Sequence, residues 1–414
     1  MVITVDNGIS AFEATALLNQ KGIDVIITDH HTVGVQIPEA YSIINPKQED
    51  CTFPFKNICG AQVAWYFCAS IKKTLNININ MSDFLDLLCI AIIADIMPMT
   101  SLNYTMVKAG LSKLNKSKRP AFVELKDIMR KKNFVSDDIG FFIAPKINSA
   151  GRMDDASVAL KFLLSQTSYE ALESLEQLEE LNNYRKKLQE EITAKAQTKV
   201  DINDNAVIVW GENWHEGVIG IVASKLSHGF KKPAFVFSVK NGIAKGSARA
   251  NADINLHSII SESSELLLGF GGHKNAAGLS LKEEHLESFK NKVNEVLKKD
   301  AHKLHIEPLT LGELDASEVD LDFLNIIEQF EPYGLENIKP IFKISDANVV
   351  KYELFGKDKN HLKIILNHDG FQFEALKFYC EKPKTCEKID MVISVSKNEF
   401  RGRVNPQFLI QNIL

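Results

Sequence analysis

Two short stretches place oxygen and nitrogen donors where chemistry can use them. In TDHHT (residues 28–32) an aspartate and two adjacent histidines follow the apolar run IDVIIT, and in ITVDNG a similar run ends in Asp6. Carboxylate oxygens with imidazole nitrogens suit a divalent ion of the manganese or magnesium kind, whereas the cysteines show no CxxC pair and no zinc-like spacing. In an open parallel sheet the loops leaving the carboxyl ends of the strands converge, so Asp6, Asp29, His30 and His31 are expected to face one crevice. Asp95, which ends the run CIAIIAD, is placed to add a third carboxylate. Adjacent histidines also cap strand ends, so the pair alone leaves both readings open; the aspartates beside it favour metal.

Such a crevice needs strands to carry it. From Met1 to about residue 100, MVITVD, IDVIITD and AYSIIN alternate with SAFEATALLNQKG and GAQVAWYFCASIKK, the pattern of βα units around a parallel sheet. Gly22 fits the C-terminal cap of the first helix. SDFLDLLCIAIIADIMP suits either a buried strand or a buried helix; its length and Pro98 beyond its end favour helix. Residues 101–165 read as mostly helical, with the basic clusters KLNKSKR and MRKKNF. A long helix is expected over about 167–199, with Thr167 and Glu170 in a capping-box pattern and Leu172, Leu175, Leu178, Leu181, Leu188 and Ile192 along one side. A second α/β region runs from NAVIVW through PAFVFSV to about residue 300 and holds a glycine cluster at 269–278. Beyond FEPYGLENIKPIF the short runs HLKIILN, FQFEALKFY, DMVISVSKNEF and QFLIQNI alternate apolar and polar residues, as in a small antiparallel barrel.

Composition bounds the rest. The 414 residues, 45% hydrophobic and 24% charged, suffice for two to four globular domains. With a formal charge of −5, a polyanion must be held by local basic patches rather than by an overall positive field. The six cysteines read as reduced thiols of a cytosolic protein. The longest apolar run, Leu87 to Ala94, falls short of the roughly 20 residues of a membrane span, and no signal peptide is read ahead of it. A cytoplasmic protein with no membrane partner is expected.

VDNGIS, TDHHT and ADIMPM resemble the second, third and fourth motifs of the DHH phosphoesterases. APKINSAGRMDDA, WHEGVIGIVASKL, KGSARA, GFGGHKNAAGLSL and FEPYGLENIKPIF, in that order, resemble the signatures of the RecJ-type single-strand-specific exonucleases. The resemblance runs from end to end. It implies two α/β lobes, a DHH domain over 1–165 and a DHH-associated domain over 201–300, joined by a helix over 166–200 and followed by an OB-like barrel over 301–414. It implies 5′-to-3′ hydrolysis of single-stranded DNA in repair and recombination, with two Mn2+ or Mg2+ ions. Asp6 matches the carboxylate that bridges those ions, His30 and Asp95 match further ligands, and His31 matches the neighbour touching the scissile phosphate or the ligand shell. Asp29 is expected to orient a histidine rather than bind metal.

The second half is expected to grip the substrate. Arg152 and Arg249 are candidate phosphate clamps through their bidentate guanidinium forks. Gly271 and Gly272 can bring backbone N–H groups close to phosphate oxygens, with His273 as a further donor. Asn148 and His215 carry over as residues lining the site, and Phe400, Arg401 and Arg403 are candidates for contacting DNA on the barrel. A single-strand-binding protein or a helicase is the protein partner the resemblance implies. Family members also carry an aspartate-rich first motif ahead of VDNG, for which five residues leave no room. The expectation is therefore a weakly held second ion, low nuclease activity and an apolar edge beside ITVD. Two other readings stand beside the nuclease: a non-catalytic single-strand binder, and a phosphodiesterase for oligonucleotides or small phosphoesters.

Overall fold

The computed structural model describes all residues except 251–253, 273, 299–308, 357–358, 379, 381–385 and 401–402, and it omits the side chain of Phe400. The described chain divides into two compact units, one comprising residues 1–52, 114–134 and 138–307, the other residues 53–113, 135–137 and 308–414. Among the described residues, no helix is long and apolar enough to cross a membrane.

The first unit carries two sheets. Strands β1 (Val2–Val5), β2 (Val25–Thr28) and β3 (Ser42–Ile44) lie parallel in that order. Val25, Ile27 and Thr28 of the central strand are buried, while Val2, Ile3 and Val5 on the edge strand are exposed. The Phe12–Gln20 helix between β1 and β2 stops at Lys21, and Gly22 follows it with φ +68°, the left-handed conformation expected just past a helix end.

The second sheet has the order β4 (Val207–Glu212), β5 (Ala234–Lys240), β6 (Ile243–Arg249), β8 (Ala276–Lys282), β7 (Leu267–Gly272). β4 and β5 pair in parallel; the other neighbouring strands of this sheet pair antiparallel. Both faces are covered, so β5 is buried at six successive positions, as a central strand must be. Phe235 and Phe237 point to one face and meet Phe289 of the Leu286–Lys298 helix edge to face at 5.6 and 5.8 Å. Truncating any one of these rings to alanine costs about 3–5 kcal/mol by the usual large-to-small rule. Ala234 and Val236 point the other way, into a cluster with Val218, Val222 and Leu226 of the Glu216–Phe230 helix.

The long helix spans Ser168–Gln197. The Thr167 side chain accepts from the Glu170 N–H as the capping box requires, but the Glu170 carboxylate reaches back to the N–H of Gln166, one residue earlier than the pattern predicts. Leu175, Leu178 and Ile192 are buried along its inner side, whereas Leu172, expected with them, is 43% exposed.

In the second unit the ambiguous apolar segment is a helix, Leu85–Ala94, with Leu88, Cys89, Ile90 and Ile92 all buried; such an all-round apolar helix needs cover on every side. Burial, helped by Asp86, pushes the Cys89 thiol far above its ordinary value, so it stays an inert core group. The C-terminal strands β9 (Ile341–Phe355), β10 (His361–His368), β11 (Phe371–Lys377), β12 (Lys388–Phe400) and β13 (Arg403–Ile413) close into a barrel. Its circuit β9-β10-β11-β13-β12, with β11 and β13 parallel, is the five-stranded OB arrangement. Alternation fills it: Leu362, Ile364 and Leu366 of β10, Phe373 and Ala375 of β11, and Met391, Ile393 and Val395 of β12 form one core.

Candidate active site

Parallel pairing sets Val5 opposite Thr28, so the residues that follow each strand emerge side by side. Asp6 adopts φ +66°, and its N–H donates to Thr28 O at 2.9 Å, which turns the chain out of the sheet immediately after β1. Gly8, at φ +115°, is the residue this turn demands; a Cβ there would lie 2.8 Å from Thr4 Oγ1 and 3.0 Å from Ile27 Cγ2. The result brings Asp6 Oδ1 to 3.0 Å from His30 Nε2. One donor atom each from Asp6, His30 and His31 lie within 4.8 Å of one another.

Asp29 organises the group from beneath. Its buried carboxylate accepts from the backbone N–H of Ile9 (2.9 Å), His30 (2.7 Å) and His31 (3.2 Å), and its Oδ1 is 2.7 Å from His31 Nδ1. Burial alone raises this carboxyl, but the hydrogen bonds from Ile9, His31 and His30 outweigh it and hold Asp29 below the usual carboxylate range. An ionised acceptor here makes Nδ1 of His31 a donor and leaves its Nε2 lone pair for a ligand. With both oxygens of Asp29 so committed, Asp6 and the two imidazoles are the donors that this turn of the first unit offers. Carboxylate oxygen plus imidazole nitrogen, without thiolate, fits manganese or magnesium. Asp95, in the second unit, closes the Leu85–Ala94 helix: its N–H donates to Ala91 O at 3.0 Å and its side chain is exposed.

A second constellation sits in the mixed sheet. On β5 and β4 the face towards the Glu216–Phe230 helix carries Val207, Val209, Ala234 and Val236, but on β6 the same face carries Lys245, Ser247 and Arg249, while Ala244 and Ala248 fill the opposite core. Beside the contact of helix and strand lies a recess of about 440 Å³, lined by Arg152, Glu216, Gly220, Lys245, Ser247 and Arg249 among others. Arg249 Nη1 donates to Ser247 Oγ (2.9 Å) and to Ala248 O (2.8 Å), which fixes its fork. Gly220 makes room for it, since a Cβ there would lie 3.1 Å from Arg249 Nη2. Arg152 Nη1 donates to Gly217 O at 3.2 Å.

A third arginine was not flagged by its sequence context. Arg185 on the long helix is buried and donates to the amide oxygens of Asn182 and Gln189. Burial first, and the charge of Arg152 second, lower the guanidinium pKa of both Arg185 and Arg249. The acid lining the recess, Glu216, is 3.1 Å from Lys245. Arg152 thus disfavours the charge of each of the other two guanidiniums, and the two that line the recess, Arg152 and Arg249, with this carboxylate already engaged, suit an anion with several oxygens.

The other sequence candidates are placed as follows. Asn148 is exposed on the Ala144–Met153 helix that also carries Arg152. His215 caps the Glu216–Phe230 helix: its Nδ1 accepts from Gly217 N–H at 3.1 Å, leaving Nε2 as its donor. Gly271 and Gly272 pair with Gly278 and Ala277 in the β7–β8 ladder, and Gly272, at φ +142°, has no room for a Cβ beside Ala276 O. Arg403 is exposed at the start of β13; His273, Arg401 and the Phe400 side chain lie outside the described residues. The signature around FEPYG is structural in its contacts, with Ser136 Oγ and Tyr333 N–H both donating to Glu331 Oε2 at 2.7 and 3.0 Å.

Comparison with known proteins is consistent across the chain. Family models match for the DHH family N-terminal domain over residues 1–92, the DHHA1 domain over 203–299 and the RecJ OB domain over 312–412. The single-stranded-DNA-specific exonuclease RecJ of Haemophilus influenzae is 30% identical over 100% of this chain and 77% of its own length. The RecJ of Bacillus subtilis is 32% identical over 100% of this chain and 53% of its own length. The crystal structure of RecJ with Mn2+ from Thermus thermophilus superposes with TM-score 0.84 at 26% identity, covering 100% of this chain and 61% of that one. The chain thus spans about half of the Bacillus relative and under two thirds of the Thermus structure.

Proposed function

This chain belongs to the RecJ family of single-stranded-DNA-specific exonucleases, and on that premise we propose that it hydrolyses phosphodiester bonds of single-stranded DNA from the 5′ end, in repair and recombination. The observation that carries the reading is the convergence of Asp6, His30 and His31 within 4.8 Å, oriented by a buried Asp29. Asp6, His30 and Asp95 are the proposed ligands of two Mn2+ or Mg2+ ions, with His31 at the scissile phosphate. Divalent ions there supply charge that polarises the phosphoryl oxygens and activates water. The protein's own part is to hold the phosphate still. Arg249, fixed by Ser247, and Arg152 clamp its oxygens, and Gly271, Gly272, His273, Asn148 and His215 line the approach.

The barrel binds the strand further along, with Phe400, Arg401 and Arg403 as contacts, and a single-strand-binding protein or a helicase is the proposed partner. Six free cysteines support a reducing compartment such as the cytoplasm. The test is nucleotide release from a 5′-labelled single strand with manganese, compared with duplex and with Asp6→Ala. Release from the single strand that falls by about a thousandfold in Asp6→Ala, with strand binding retained, is expected. Binding with no metal-dependent release would favour the non-catalytic reading.

A further inference from the structure

The Leu85–Ala94 helix delivers Asp95 at its end, and the chain just beyond is held in an unfavourable shape. Ile96 N–H donates to Ile93 O and Met97 N–H to Ile92 O, both at 3.1 Å, the paired bonds of a helix ending that requires a left-handed residue at position 96. Glycine usually fills such a place; here it is Ile96, at φ +53° with its side chain exposed. A β-branched residue in that conformation costs on the order of 1–3 kcal/mol and persists only where its surroundings impose it.

Two outside contacts impose it. Asn103 Nδ2 donates to Pro98 O at 2.9 Å and to Asn57 O at 2.8 Å. The other contact comes from the segment that leads into the barrel. Leu335 O accepts from Met99 N–H at 2.6 Å, and Gly334 lies so near the Met99 side chain that a Cβ there would be 3.2 Å from its Cε. That segment is itself cross-tied: Gly334 and Asn337 exchange backbone hydrogen bonds at 3.0 and 3.2 Å, and Asn337 Nδ2 donates to Phe330 O and Pro332 O at 2.9 and 2.8 Å. Met99 is buried, so any displacement of Gly334 or Leu335 passes into the turn instead of being absorbed by solvent.

We propose that Gly334 and Leu335 are positioning residues for Asp95, bracing the left-handed turn at Ile96 and so fixing the carboxylate. The inference rests on the assignment of Asp95 to a metal ion and goes beyond it. A segment ahead of the barrel becomes part of the scaffold of the metal centre, not of strand binding alone.

The experiment measures Mn2+ affinity by calorimetry, and oligothymidine affinity in EDTA, for the whole chain, Gly334→Val, Gly334→Val with Met99→Ala, and Asp95→Ala. A valine at position 334 pushes Met99 and the turn with it. Mn2+ affinity is expected to fall by about tenfold, the scale of a disturbed outer support, while strand affinity stays within about twofold. Cutting Met99 back to alanine makes room for the valine and is expected to recover most of the loss; a double variant as weak as the single one overturns the brace. Unchanged Mn2+ affinity in Gly334→Val, where Asp95→Ala loses it, overturns the brace and leaves the metal reading standing. Strand affinity falling in step with Mn2+ affinity does the same, because it marks a merely loosened fold. Asp95→Ala with parental Mn2+ affinity overturns the ligand assignment and the brace together. Should Gly334→Val fail to fold, Gly334→Ala takes its place: Mn2+ binding about threefold weaker is expected, and parental affinity overturns the brace.

Discussion

The carboxylate–histidine cluster and the arginine recess are assembled on opposite plans. The cluster needs two neighbouring strand ends: once Val5 pairs with Thr28, Asp6 meets His30, and residues 29–31 supply both donors and the carboxylate that orients them. The recess draws Arg152 and Glu216 from two helices and Lys245, Ser247 and Arg249 from a strand, and it exists only because helix and sheet pack around it. A centre that holds a small ion must fix donor atoms to a fraction of an ångström, and short local turns do that. A receptor for a spread-out anion tolerates looser spacing but must gather like charges that repel, and only tertiary packing compels that.

The comparison can be broken most directly at Asp29. Asp29→Asn keeps the shape but replaces an ionised acceptor, and the orientation of His31 goes with it. Manganese affinity by calorimetry should fall by about ten- to hundredfold, with phosphate binding unchanged. Affinity held within about twofold would show that the cluster is not where the ion binds. Arg249→Lys tests the other side. It retains the charge and loses the fork, so the single-strand KM should rise by about tenfold with manganese affinity unaltered. A lysine that serves equally well would reduce the recess to a diffuse positive field. Glu216→Gln is the smallest change. It frees Lys245 from an exposed pair, which should tighten single-strand binding by about twofold at low ionic strength and not at all at high. Weaker binding would mean that Glu216 holds Lys245 in place rather than competing with the anion.

These opposite plans explain what the sequence revealed. Asp6, His30 and His31 were readable because each closely follows an apolar run whose end fixes its position. The helix over 85–94 was readable from its length, and the barrel from its alternation. Arg152 and Arg249 stood out only through the family resemblance, since two residues 97 positions apart meet in space through a helix, a sheet and a crossover that no local pattern encodes. Nothing in the sequence around Arg185 sets it apart, and only packing shows it buried. Leu172 shows the converse error, for heptad-like spacing marks a face but not how far its cover extends.

Strand β6 is a single thread with two allegiances. Ala244 and Ala248 belong to the hydrophobic core, Lys245, Ser247 and Arg249 to the recess, and the only thing that separates them is the odd or even count along seven residues. Point changes on one side can therefore accumulate over generations without disturbing the other. A gain or loss of one codon between Ile243 and Arg249 does what none of them can: it turns the arginine towards Phe237 and the alanines towards the anion. In this stretch the lineage is free to spell differently, but not to change length.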